Sequence, residues 1–398
     1  MFTSLKLWIG LGLALAPALV PAAPFLPAGD EVVLETLPVR SDPALAGLRQ
    51  QRLAVQHDPS NLDARLVLAR NYIEAARRNG DPRFLGYAQK TLSEWPDGAQ
   101  APAPVRVLRA TALQSLHQFA AALHELDGAL QQSPANAQAL LTRATVLQVL
   151  GRYTEAQRDC AALLRSSGEI ASGLCLASIA SATGHLDNAR TLAQRALDHV
   201  PDNDRVLKLW ASTVLAETAT REGDLPLAKH YFQQALVIDA SDRYARAAYC
   251  DLLLDMGEPQ AVLDLTAALL KDDNLLLRHA AALKALSRAA IPGAADPWQS
   301  QLQQDIRELA ARHAAATQRG DRTHLREAAR FELELRDNPR AALKLAQENW
   351  QVQREPADVR VLLEAARASG DEVALKAVVA WMQTSGLRDA GITALLKT

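Results

Sequence analysis

The sequence predicts an all-α fold, an α-solenoid of stacked antiparallel helix hairpins, and three observations predict it. The first is a pattern of apolar residues that returns every 34 residues or close to it between Val105 and Ala240. It reads Ala110, Ala122, Ala129; Ala144, Ala156, Leu163; Ala177, Ala189, Ala196; and Ala216, Ala228, Ala235, with the positions in each unit 12 and 7 residues apart. The second is a turn after the first position of each unit: Gly151-Arg152, Gly184-His185 and Gly223-Asp224, with His117-Gln118 in the same slot of the first unit. The third is what brackets the helices. An aromatic residue or Leu follows each turn (Phe119, Tyr153, Leu186, Leu225), a further apolar residue precedes the last position (Leu126, Cys160, Ala193, Phe232), and Pro134 and Pro201 close two units. Two helices approach closely only where the facing side chains are small, and larger neighbours fill the remaining space. Glycine suits a left-handed cap between the helices, and proline stops the second helix. One such hairpin cannot bury its apolar face alone; stacked hairpins can, and the stack presents a concave surface lined by the first helices.

These units resemble the tetratricopeptide repeat. The resemblance implies a right-handed superhelix of helix hairpins that acts as a non-enzymatic scaffold, binding a protein or peptide in its concave groove. Two stretches, Gly80 to Gln89 and Ala328 to Pro356 with Asn349-Trp350, resemble segments of exported bacterial tetratricopeptide proteins, which implies export and brings no activity with it. Family members that grip a C-terminal carboxylate of chaperones use Lys and Asn on the inner face. Those residue types do not recur here, so that clamp is not carried over.

Along the chain, residues 1–22 read as a secretory signal peptide, with Lys6 at the start, an apolar run from Leu7 to Val20 and small residues before a cleavage point after Ala22. The run is broken by Gly10, Gly12 and Pro17 and is shorter than the roughly 20 residues a spanning helix needs. No later stretch is long and apolar enough to cross a bilayer, so the expected location is the bacterial periplasm. Residues 23–40 form an extended lead-in and 41–292 the repeat array. Within the array, Ser41-Asp42-Pro43 starts a helix that ends near His57. Asp63 to Arg78 and a helix ending at Trp95-Pro96 make a hairpin around Asn79-Gly80-Asp81-Pro82, and the segment 96–104 is a loop. After the four clear units, Arg243 to Lys271 turns at Gly257-Glu258-Pro259, and Leu275 to Ala290 follows. Residues 293–398 hold a long helix from Pro297 to Arg319, two looser hairpins (Arg322 to Leu335 with Pro339 to Val352, and Ala357 to Ser369 with Glu372 to Thr384) and a capping helix from Leu387 to Lys397.

Charges nearly balance, 43 Lys and Arg against 45 Asp and Glu, and no basic cluster is interleaved with aromatics, which argues against a nucleic-acid partner. There is no Gly-x-Ser-x-Gly elbow, no glycine-rich phosphate loop with Lys and no His-Glu-x-x-His helix, so neither a catalytic site nor a cofactor is expected. The nine histidines are scattered, and His313 with His324, flanking Gly320-Asp321, is the only pair that the turn brings within reach of one metal ion. A second reading places an envelope enzyme site in the irregular stretch 292–321. Cys160 and Cys175 fall on helices that pack together, so a disulfide between adjacent units and two separate core thiols both fit. Cys250 reads as core filling.

The repeat register lines the groove with Arg70, Gln138, Leu141, Thr145, Gln148, Trp210, Thr213, Glu217, Arg221, Tyr244 and Asp251. Trp210 and Tyr244 are the anchor candidates, because rigid amphipathic rings dominate binding energy at such surfaces. Both rings equally suit a second purpose, filling the gap left by five extra residues before Trp210.

Overall fold

The computed structural model describes residues 43–95, 100–290 and 296–397. The chain divides into two units, Met1–Ala46 and Gly47–Thr398. The first contributes only the helical residues 43–46 to the described set, so the expected signal peptide and lead-in lie outside the described residues. Everything below concerns the second.

That unit is a run of helix hairpins. Helix α1 (Pro43–His57) precedes hairpin I, made of α2 (Leu62–Asn79) and α3 (Arg83–Thr91). Hairpin II is α4 (Ala103–Ser115) with α5 (Phe119–Gln132). Then come α6 (Ala137–Val149) and α7 (Tyr153–Ala182), the latter a continuous run except at Gly168, whose φ of 79° and ψ of −175° break it into the second helix of hairpin III and the first of hairpin IV. Helix α8 (Leu186–His199) completes hairpin IV, α9 (Arg205–Glu222) and α10 (Leu225–Ile238) form V, and α11 (Arg243–Asp255) and α12 (Pro259–Thr266) form VI. Hairpin VII pairs α13 (Asp273–Arg288) with α14 (Gln299–Gln318). Hairpin VIII joins α15 (Leu325–Arg330), continued by a π-helical turn Phe331–Leu335, to α16 (Pro339–Trp350). Hairpin IX is α17 (Pro356–Ser369) with α18 (Glu372–Ser385), and α19 (Ala390–Lys397) ends the chain.

The sequence signature marks the core. All twelve repeat positions from Ala110 to Ala235 are at most 5% exposed, and Leu126, Cys160, Ala193 and Phe232 at most 2%. Helix starts are fixed by short polar side chains. Asn61, Asn136, Asp204, Asp224, Asp242, Asp272, Asn338 and Asp371 each accept a hydrogen bond from a backbone N–H in the first turn, an interaction worth about 1 kcal/mol apiece.

Three local expectations need correction. The second helix of hairpin I ends at Thr91 rather than at Trp95. The helix expected over Arg322 to Leu335 starts at Leu325 and changes to π geometry at Phe331, where Arg336 N–H bonds the Phe331 carbonyl at 3.1 Å. The wider turn holds the Phe331 ring in the core while Arg330 reaches Asp251. The long helix α14 starts at Gln299, not Pro297, and is held to α13 by a buried polar pair, His279 Nδ1 to Asp305 at 2.7 Å, with Gln301 donating to the other Asp305 oxygen.

The array curls back on itself. The turns inside hairpins I, II and III meet the starts of hairpins VI, VIII and IX, and those of IV and V meet the segment after α18 and helix α19. At hairpin I, Arg243 Nε donates to the Arg78 carbonyl at 3.1 Å. At II, the His117 ring lies 6.2 Å from His324, which precedes α15. At III, Arg354 N–H donates to the Val149 carbonyl at 2.7 Å, and the Trp381 ring stands 6.5 Å from Tyr153. At IV, Gly184 lies against the Gly386 carbonyl, and at V Gly223 faces Ala390 while α19 packs on α9. Val352 and Trp381 pack on the apolar core of hairpins II and III, so the closure is more than a polar touch.

Candidate functional site

The first helices carry their inner stripe at positions three and four residues apart, as a helix face requires. On α6 the residues expected to line the groove are Gln138, Leu141, Thr145 and Gln148; Gln138 and Thr145 are exposed and the other two half-buried. Gln138 donates to Thr142 at 3.0 Å. Arg70 is exposed on α2.

On α9 and α11 the structure gathers three of the expected residues into one hydrogen-bonded group. Tyr244 Oη donates to Glu217, and Glu217 also pairs with Arg221 at 3.4 Å. Arg221 Nη1 donates to Ser181 Oγ at 2.6 Å, and Thr218 donates to the same oxygen at 3.0 Å. The Glu217 charge pushes the Tyr244 phenol well above its ordinary range, so the proton stays on oxygen. Tyr244 as a residue is 60% exposed, held in place by its hydroxyl and open to solvent.

Trp210 behaves differently. It is half-buried and packs against two apolar clusters, one spanning α4 to α7 and one spanning α7 to α9.

Asp251 is committed to internal partners. Arg278 Nη2 donates to one oxygen at 2.6 Å and Arg330 Nη1 to the other at 2.9 Å. Burial raises this carboxyl, but the two guanidiniums outweigh it and hold the group below the usual carboxylate range. Next to it on α11, Asp255 takes both terminal nitrogens of Arg360 at 2.5 and 2.7 Å. Arg326 reaches Glu327, Glu355 and Asp358 at 3.2 to 3.3 Å. Burial raises the Glu355 and Asp358 carboxyls despite Arg326. Glu327 goes the other way, to about 2, because Arg326 and His324 overcome its burial.

Sequence reasoning did not name Arg326, Arg330, Glu355 and Arg360. Their signal was present in the spacing: Arg330 with Glu334 and Arg360 with Glu364 are i,i+4 pairs on the first helices of hairpins VIII and IX.

The stretch expected to hold an alternative enzyme site is α14 as far as it is described. His313 stands edge-on against Phe331 at 4.9 Å, and the His324 ring lies 6.2 Å from that of His117. Among the described residues no group of three His, Cys, Asp or Glu is placed to hold a metal. Cys160 and Cys175 are joined in a disulfide with Cα atoms 5.4 Å apart, across the break at Gly168, and Cys250 is a buried free thiol.

Helix hairpins of this length, with small residues where they cross and a first-helix stripe facing inward, have one architecture. The fold is of tetratricopeptide type. Solved structures that the chain is similar to include a chain of the APC/C hetero-tetramer Cut9-Hcn1, at 14% identity and TM-score 0.44, covering 81% of this chain and 52% of that one. A tetratricopeptide repeat protein from Parabacteroides merdae is 12% identical with TM-score 0.35, covering 76% of this chain and 98% of that one. A monomeric mutant of IFIT1 with Gppp-AAAA is 14% identical with TM-score 0.44, covering 89% and 85%. The chain thus spans about half the length of the first of these. No family model and no curated protein matches it. Among the described residues no helix is long and apolar enough to cross a membrane.

Proposed function

We propose that this tetratricopeptide-type array is a non-enzymatic scaffold that binds an extended protein or peptide segment along the inner stripe of α6, α9 and α11. The observation that carries the reading is Tyr244: a rigid ring, mostly solvent-exposed, whose hydroxyl is fixed on Glu217. Fixing the ring in advance removes much of the ordering cost of binding, which is why such rings act as anchors. Thr145 and Gln138, exposed on the same register of α6, extend the surface with polar contacts. Near-balanced charge favours a protein segment over a nucleic acid as occupant. We place the protein in the bacterial periplasm. The apolar, small-residue-ended start of the sequence supports export, and the Cys160–Cys175 disulfide supports an oxidising compartment.

The test is a peptide selection against the mature chain followed by calorimetry. A selected segment should lose about thirty-fold in affinity, roughly 2 kcal/mol, on Tyr244→Ala and a comparable amount on Thr145→Arg. Val237→Ala, at an exposed position of the second helix α10, should leave it unchanged. Equal affinity for all of these chains would remove the inner stripe from consideration.

A further inference from the structure

The crossing of hairpin II by the start of hairpin VIII brings together two imidazoles from distant parts of the chain. His117 sits in a left-handed turn conformation, φ 54°, stacked on Phe119 at 5.3 Å between ring centres, with His324 tilted at 66° and 6.2 Å away. A helical array of this kind has no need for contact between its successive superhelical turns, since each hairpin is stabilised by its neighbours. Here contacts at five turns hold the closure, and at this crossing a largely buried imidazole from one turn meets a second imidazole from a distant helix start. We propose that the His117–His324 crossing is an acid-sensitive latch: protonation of the buried His117 imidazole, held against His324, releases α15 from the turn of hairpin II and loosens the closed array.

The surrounding charges fix the direction. Across the seam His117 faces His324, Arg326, Glu327 and Asp321; on its own side it has Phe119. Burial lowers the His117 imidazole to about 4, and the neighbouring His324 and Arg326 act the same way against the carboxylates of Glu327 and Asp321. A histidine held below its ordinary 6.5 stabilises the closed form fully above that pH and loses its contribution as pH falls through about 4. Over that window the opening equilibrium gains up to about ten-fold per pH unit from this group. Glu327, lowered from 4.5 to about 2, adds in the same sense only below 4.5. Glu355 and Asp358 are raised by burial and take up protons more readily in the closed form, so they oppose acid opening. His313, lowered by burial and packed on Phe331 of hairpin VIII, adds in the same sense as His117, so the difference between wild type and a His117 variant between pH 6.5 and 4.5 is what reports His117.

Hydrogen exchange on the full mature chain tests this. Wild type and His117→Asn are compared at the same pH at steps from 7.5 to 4.5, reading peptides that cover residues 112–119 and 321–331. Asn tolerates the left-handed turn and carries no charge, so the variant keeps the turn. The expected result is exchange at both segments that rises in wild type relative to the variant by ten-fold or more between pH 6.5 and 4.5, with His324→Gln reducing that rise. A wild-type seam whose protection tracks His117→Asn at every pH overturns the proposal, as does a rise of equal size in the variant. Radii of gyration from solution scattering at pH 7.5 and 4.5 separate release of the seam from global unfolding. Global unfolding at pH 4.5 in wild type and variant alike would also overturn it.

Discussion

At Gly128 the residue type contradicts its element. It lies inside α5, where alanine would favour the helix by about 1 kcal/mol, yet a side chain there has no room. A Cβ at 128 would land on the Arg106 guanidinium, which is buried and paired with the buried Glu125 at 2.9 Å. Displacing one member of a buried ion pair costs roughly 3–5 kcal/mol, so the clash outweighs the helix gain. Gly128→Ala should lower stability by about 2 kcal/mol or more in urea unfolding. At Gly86, inside α3 and with nothing within 4 Å of a Cβ, the same substitution should raise stability by up to about 1 kcal/mol. Equal signs at the two sites would refute the assignment. From sequence Gly128 reads only as a weak point in a helix, because nothing local announces which side chain lies over it. The short-range chemistry was legible: the repeat alanines are buried, and Asp or Asn caps stand where helices begin. The register set both Tyr244 and Trp210 on the groove lining; Tyr244 is exposed and Trp210 half-buried against two clusters, a difference that period alone does not carry.

At the level of elements, the turns inside the hairpins were readable because their geometry is local. Among the described residues six of them close on a positive-φ glycine, and two on His117 and Asp337, at φ 54° and 50°. What was not readable is which turns carry a second duty. Gly184 and Gly257 have nearly the same backbone, φ 74° and 72°, so alanine pays a similar conformational penalty of about 1–2 kcal/mol at each. Only at Gly184 would the new Cβ strike another strand of backbone, the Gly386 carbonyl, with Gly386 in turn close to the Thr183 carbonyl. Gly184→Ala should therefore destabilise by clearly more than Gly257→Ala, and the excess, measured as the difference in unfolding free energy, reads the strength of that crossing. If the two lose equally, hairpin IV does not support the chain's end. The π turn at Phe331 escaped the sequence for a related reason: it adds a single residue to one turn, and no residue type marks an i→i+5 bond.

For the whole molecule, a 34-residue period fixes how each hairpin leans on the next, and small changes in that lean decide whether successive superhelical turns stand apart or touch. The contacts of His117 with His324, Val149 with Arg354 and Gly184 with Gly386 are the sum of many such leans, which is why the closure was invisible while the units were plain. The consequence is one of folding order. An open array nucleates anywhere and grows by nearest-neighbour steps, with almost every contact between residues close in sequence. Here the carbonyl of Val149 waits for the N–H of Arg354, and Tyr153 for Trp381, so the first half of the protein leaves the ribosome with part of its surface still without its cover. Refolding of the full chain should accordingly show a fast phase that builds helix and a slower one that protects amides of residues 117–119 and 149–153. A chain truncated after Ser385, lacking α19 and the Gly184 crossing, should keep the fast phase and lose equilibrium protection at residues 183–185. Arrival of hairpins VIII and IX, rather than completion of any earlier hairpin, is the event that finishes the crossings at hairpins II and III.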